Sequence, residues 1–172
     1  VIPGPFEEQA PHHSVRGLLA FMRHGCGDRR PGRSCRQLFV TTSAPEGLGK
    51  GFDNEIGLTY LEVTPDGGRA QLTITDKILQ PWGIVHGGVY CAIVEGLASV
   101  SGHVWLAEHG GGTVVGVNNN TDFLRALKGG TVTATSTPIH RGRRQQLWLV
   151  TITDEDDRPV ARGQVRLQNL EG

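Results

Sequence analysis

The stretch "QPWGIVHGGVYCAIVEGLAS", Gln80 to Ser99, places a single carboxylate inside an apolar run. Burying a carboxylate in such company is costly unless it is paired, hydrogen-bonded or protonated. Glu95 therefore either lies on a wet helix face or is kept for a purpose. Read as a helix, Glu95 and Ser99 are four apart and share a face, with Cys91 and Gly88 on the same stripe. Small residues beside a carboxylate leave room for a narrow ligand. A helix starting at Gly87-Gly88 offers unpaired N–H groups and a positive dipole end. An oxygen gaining negative charge is stabilised there, and glycine lets it approach closely. One helix thus carries an oxyanion-binding end and, about two turns on, a carboxylate. Taken alone, His86 is a loop histidine that caps the helix, Gln80 an ordinary polar residue before Pro81, and Ser99 a packing serine.

A second constellation is "IHRGRRQQ". Arg141, Arg143 and Arg144 gather with Gly142 in a turn that follows His140. Guanidiniums and free backbone amides suit phosphate groups. A solvated hairpin turn would use the same residues. His12, His13, His24, Cys26 and Cys35 have a spacing that fits no zinc pattern, and no metal is expected.

The elements that must position these residues follow from the rest of the chain. Its 172 residues are enough for one domain with a full core. Lys plus Arg equals Asp plus Glu, 17 each, so net charge argues for neither nucleic acid nor an acidic membrane as partner. Three cysteines make no even framework and favour a reducing compartment. No apolar stretch reads as long and charge-free enough to span a bilayer, and "GLLAFM" is too short for a secretory core. A cytoplasmic protein is expected.

Residues 1–51 contain "PGP", "RRPGR" and "GLGKG". They read as a flexible or loosely docked basic extension, with one short helix around Val15 to Arg23. From Phe52, "IGLTYLEV" and "AQLTIT" alternate apolar and polar residues around Pro65-Asp66-Gly67-Gly68, a hairpin. A helix runs from about Gly88 to His109 and stops at Gly110-Gly111-Gly112. Four strand candidates follow: "TVVGVNNNTDF", "GTVTATSTPI", "QQLWLVTIT" and "PVARGQVRLQ". The expected class is α+β, one buried helix wrapped by a curved antiparallel sheet of about six strands.

That order, with "GIVHGGVYCAIVEGLAS" and "IHRGRRQQLW", resembles the hotdog-fold acyl-CoA thioesterases of the phenylacetate-pathway and 4-hydroxybenzoyl-CoA type. It is similar to those that hydrolyse dihydroxynaphthoyl-CoA. The resemblance covers residues 52–172, and residues 1–51 have no counterpart in it. It implies hydrolysis of an acyl-CoA thioester to free acid and coenzyme A, with no metal and no cofactor beyond the coenzyme A of the substrate. Glu95 would be general base or nucleophile. Gly87, with Gly88 as neighbour, would supply the N–H that polarises the carbonyl, held from the other protomer's side. His86 would position the thioester, Gln80 would hold the carbonyl or the attacking water, and Ser99 would hydrogen-bond that water.

The resemblance further assigns His140, Arg141, Gly142, Arg143 and Arg144 to the nucleotide and pantetheine arm. It puts "NNNTDF" at a subunit interface, with Asn120, Thr121 and Asp122 lining the acyl or pantetheine channel. The implied assembly is a homodimer or a dimer of dimers. Relatives often carry basic or aromatic residues after the threonine, whereas here Asp122 and Phe123 follow it, so acyl specificity does not carry over. Two other readings are a hotdog hydratase or dehydratase, whose signature is not found, and a non-catalytic acyl-CoA-binding protein. The intact set of Gln80, His86, Glu95 and Ser99 argues against the second.

Overall fold

In the computed structural model, residues 48 and 50–171 are described. The expected helix near Val15 and the His12, His13, His24, Cys26 and Cys35 set lie outside the described residues. A short helix α1 (Phe52–Ile56) precedes the hairpin of β1 (Leu58–Thr64) and β2 (Gly67–Thr73). It docks through Tyr60 of β1, whose hydroxyl donates to Asp53 Oδ2 at 2.6 Å. Burial first, then that carboxylate, holds the Tyr60 phenol well above its usual range.

Alternation in β2 is strict: Gly68, Ala70 and Leu72 are buried, and Arg69, Gln71 and Thr73 are exposed. Gly67 and Gly68 read as turn residues in the sequence, but both belong to β2, opposite Thr64 and Val63. The reason at Gly68 is close approach. A Cβ there would stand 3.0 Å from a Leu97 methyl and 3.1 Å from the Glu62 carbonyl. The Gly68 N–H donates to Ser136 Oγ at 2.8 Å. Ser136 meets Ser101 Oγ at 2.7 Å, and Ser101 donates to the Leu97 carbonyl at 2.8 Å. Two buried serines are thereby satisfied, as burial demands.

The long helix α2 spans Gly87–Glu108, one residue earlier than expected at each end. Gly110, Gly111 and Gly112 follow it with φ of 118°, 80° and 105°, where side chains are disfavoured and a helix stops. After it come β3 (Thr113–Phe123), β4 (Thr131–Arg141), β5 (Gln145–Thr153) and β6 (Pro159–Leu170). The sheet order is β1-β2-β4-β5-β6-β3, with every neighbour antiparallel. The sheet wraps α2 and buries Ile93, Val94, Leu97 and Ala98 in one cluster with Trp148, Val150, Val165 and Leu167. One sequence expectation is corrected here. By length and composition α2 is apolar enough to cross a membrane, but more than half of its most apolar 18 residues are buried in the protein, as in a core helix.

Trp148 is fully buried, and its indole donates to Gln146 Oε1 at 2.8 Å. Gln146 in turn donates to the Gly102 carbonyl of α2 and to Asn169 Oδ1. The two ends of the sheet differ. β1 is short and has α1 beside it. β3 runs eleven residues, pairs among the described residues only with β6, and is exposed along nearly its whole length.

Candidate active site

His86 caps α2. Its backbone is extended (φ −65°, ψ 128°), and its Nδ1 accepts the Gly88 N–H at 2.9 Å. With Nδ1 an acceptor, the proton of the neutral ring sits on Nε2, and the residue is exposed. The Val89 N–H goes to the His86 carbonyl at 2.9 Å. The Gly87 N–H is therefore the first-turn donor with no acceptor among the described residues. The capping role and the free N–H come from the same local geometry, a histidine at the N-cap followed by two glycines.

Gln80 closes a tight loop, its N–H bonded to the Ile84 carbonyl and its carbonyl to the Gly83 N–H. Its side chain lines a cleft of about 410 Å³ with His86, Gly87, Tyr90 and Phe123. The Phe123 ring lies over the Gly87 Cα, and a Cβ there would come within 2.8 Å of it. The Tyr90 hydroxyl is buried and has no partner among the described residues. Burial pushes its pKa up to about 12. The structure thus brings Gln80, His86 and Gly87 together.

It does not bring Glu95 to them. Eight residue steps lead along the helix from Gly87 to Glu95, about 12 Å along the axis. Glu95 is half-buried and turned toward β3. Its Oε2 accepts from Asn119 Nδ2 at 3.2 Å. Its Oε1 lies over Gly116, where a Cβ would collide with it. Ser99 stands one turn further along α2, also half-buried. The carboxylate is thereby laid along the exposed edge strand.

Asn120, Thr121 and Asp122 do not share one face, because neighbours on a strand alternate. Thr121 points toward α2, over Gly163 and beside Val94. Asn120 and Asp122 line a groove of about 290 Å³ with Arg162 and Gln164 on the opposite face. Asn119 and Gly116, the residues that touch Glu95, carried no sequence signal of their own. They share a face because a bulge between Gly116 and Asn118 shifts the register against β6.

The arginine turn divides as well. Arg141 is turned inward: it donates to the Pro65 carbonyl at 2.8 Å, pairs with Asp66 at 2.9 Å and stacks over Trp105. His140 lies in a cleft on the outer sheet face with Asn118, Asn120 and Arg166. The side chains of Arg143 and Arg144 form no ion pair among the described residues. They line a cleft of about 660 Å³ with His109, Gly110 and Asn169, at the far end of α2 from Gly87. Asn169 shapes this turn by donating to the carbonyls of Gly142 and Arg143 at 2.9 and 3.1 Å. No cluster of three metal-ligating side chains occurs among the described residues.

A hairpin, a buried helix and four further strands in one antiparallel sheet define the hotdog class of folds. Comparison with known proteins places the chain in it. Residues 83–161 match the family model of the thioesterase superfamily. A Mycobacterium tuberculosis protein provisionally named an esterase is 62% identical over 129 residues, 74% of this chain and 92% of its own. Its solved structure superposes with a TM-score of 0.69 over 70% of this chain and 97% of that one. The 1,4-dihydroxy-2-naphthoyl-CoA hydrolase of Escherichia coli K12 is 30% identical over 122 residues, 69% of this chain and 87% of its own. A solved thioesterase of Haemophilus influenzae is 29% identical with a TM-score of 0.70, covering 77% and 92% of the two chains. The chain belongs to the thioesterase superfamily, with the hotdog fold, and is a hydrolase of that family.

Proposed function

We propose that this protein hydrolyses an acyl-CoA thioester without a metal, at a site completed by a second copy of the chain. The observation that carries this reading is the separation of its two chemical groups. Gly87 and Glu95 start about 12 Å apart along one helix, and the Glu95 side chain turns to Gly116 and Asn119 of β3, so one chain does not bring the free N–H and the carboxylate to one carbonyl. Both nevertheless lie beside β3, Gly87 under Phe123 and Glu95 over Gly116. Antiparallel two-fold pairing of the edge strand β3 with the same strand of a second copy reverses the partner's helix. It thereby brings each Gly87 toward Glu95 of the partner subunit.

In that arrangement the Gly87 N–H, backed by the helix dipole, polarises the thioester carbonyl. Gln80 and the Nε2–H of His86 hold the same oxygen or the water. The carboxylate either attacks the carbonyl carbon, expelling coenzyme A thiolate to leave an anhydride that water hydrolyses, or takes a proton from water whose attack expels the same thiolate; either role needs it ionised beside the carbonyl. Ser99, one turn on, orients the water. Arg143 and Arg144 take phosphate groups of coenzyme A, whereas Arg141 supports the turn. The coenzyme A ester named for the Escherichia coli relative supports this choice of substrate.

The test is thiol release from a panel of aromatic and medium-chain acyl-CoAs, read with a thiol reagent. Release from at least one member is expected. Measurable binding with no release from any would replace hydrolysis by a non-catalytic acyl-CoA-binding role.

A further inference from the structure

We propose that Asn119, braced by Thr121, is a positioning residue for the Glu95 carboxylate; the inference rests on the catalytic reading of Glu95. Asn119 Nδ2 stands 3.0 Å from the Cys91 carbonyl and 3.2 Å from Glu95 Oε2. Both neighbours are acceptors, so the amide must present its NH₂ to them. The reversed amide would set Oδ1 against a carbonyl and a carboxylate. Thr121 enforces the same choice, because its hydroxyl donates to Asn119 Oδ1 at 2.6 Å.

Cys91 is four residues before Glu95, so one amide ties the backbone and the side chain of the same helical turn to the edge strand. Gly116 completes the seat by leaving room for the other carboxylate oxygen. In a regular strand residues three apart face opposite ways. The bulge between Gly116 and Asn118 puts 116, 119 and 121 on one side, so the device needs both the irregularity and the residues. A strap serving stability alone would need only the Cys91 contact. The second hydrogen bond, to the carboxylate itself, restricts the group that must meet a carbonyl.

The experiment uses the full chain and whichever of acetyl-, octanoyl- or benzoyl-CoA it turns over fastest. Asn119→Leu should lower kcat on the order of 10–100-fold, as about 1 Å of misplacement does, with KM within about twofold. Asn119→Asp, equal in shape but presenting an acceptor to two acceptors, should fall further. Thr121→Val should lower kcat severalfold at unchanged KM. The double variant Asn119→Leu/Glu95→Gln should be no slower than Glu95→Gln alone, since the amide acts through the carboxylate. A merely structural role predicts the opposite, losses that multiply in the double variant, and that result overturns the proposal. So does wild-type kcat in both Asn119→Leu and Thr121→Val beside an inactive Glu95→Gln, which leaves the catalytic reading intact. Full activity in Glu95→Gln overturns both. Should Asn119→Leu fail to fold, Thr121→Val, which keeps volume and both Asn119 acceptors, decides the matter alone.

Discussion

Two inactive variants of this protein should restore each other when paired. Glu95→Gln removes the carboxylate and should lower kcat on the order of 10²–10⁴. Gly87→Pro removes the free N–H and should lower it on the order of 10²–10³. The backbone tolerates this proline. Position 87 is the first residue of α2, where proline is favoured, and His86 already has the extended ψ of 128° that a residue before proline adopts. The added ring meets the Phe123 side chain, so folding and pairing of this variant are checked by circular dichroism and light scattering before mixing. If each site draws Gly87 from one chain and Glu95 from the other, a mixed dimer holds one site with both defects and one intact site. Random pairing of equal amounts makes about half the dimers mixed, so about a quarter of wild-type kcat should return in the mixture. Mixed dimers isolated through two different tags should show about half. The assay is thiol release at saturating acyl-CoA. Mixed dimers no more active than their parents would refute the shared site and place the whole reaction within one chain.

Three further outcomes are expected. Arg143→Ala should raise KM for acyl-CoA and leave kcat nearly unchanged, because phosphate contacts are the same in ground and transition states; added salt should mimic it, and an N-acetylcysteamine thioester should not sense it. Burial would raise the pKa of Asp154, but the Arg158 N–H and guanidinium, each at 2.9 Å, and the Asp156 N–H outweigh this and hold it below its ordinary value. A lowered folded pKa stabilises above the unfolded value of about 4 and is lost as pH falls through the folded one. Asp154→Asn should therefore lower the melting temperature at pH 7, with the gap closing in acid; a gap constant down to pH about 3 contradicts the assignment. A chain starting near Gly51 should fold, pair and hydrolyse, checked by light scattering and the thiol assay; an insoluble product would make residues 1–50 integral.

Much of the fold was legible because it rests on periodicity. β2 and β5 alternate inward and outward residues, and α2 is apolar on nearly every face, so element type and order follow from the chain. The start of α2 was legible in its types, a capping histidine followed by two glycines, and Glu95 stood out as a lone carboxylate of the candidate site. Contacts across elements were not. Nothing in "VVGVNNNTDF" marks Asn119 rather than Asn120 as the residue facing the helix, because the bulge that sets the parity is a property of pairing with β6. Arg141 looked equivalent to Arg143 and Arg144 within one turn. Only the packing of that turn against Asp66 and Trp105 commits it inward. Gly68 resembled a turn glycine because the pressure on it comes from Leu97, twenty-nine residues later.

The edge strand itself argues that assembly and chemistry are one structural problem here. Edge strands are usually blunted by charge, proline, shortness or cover, since an open row of N–H and C=O groups invites pairing. Among the described residues, β3 has none of these devices along most of its length. It runs eleven residues, contains no proline, carries one charge at Asp122, and exposes Val115, Val117 and Phe123. Its bulge, which on another edge would discourage pairing, instead seats Glu95 between Gly116 and Asn119. A second copy added to this edge would cover the apolar side chains and exclude water from the carboxylate in one step. Excluding water strengthens every electrostatic contact the carboxylate makes with an incoming thioester. On that reasoning a substitution that blocks pairing, such as Val117→Lys at the exposed middle of β3, should abolish turnover while leaving the folded monomer intact. An active monomer would separate the two roles again.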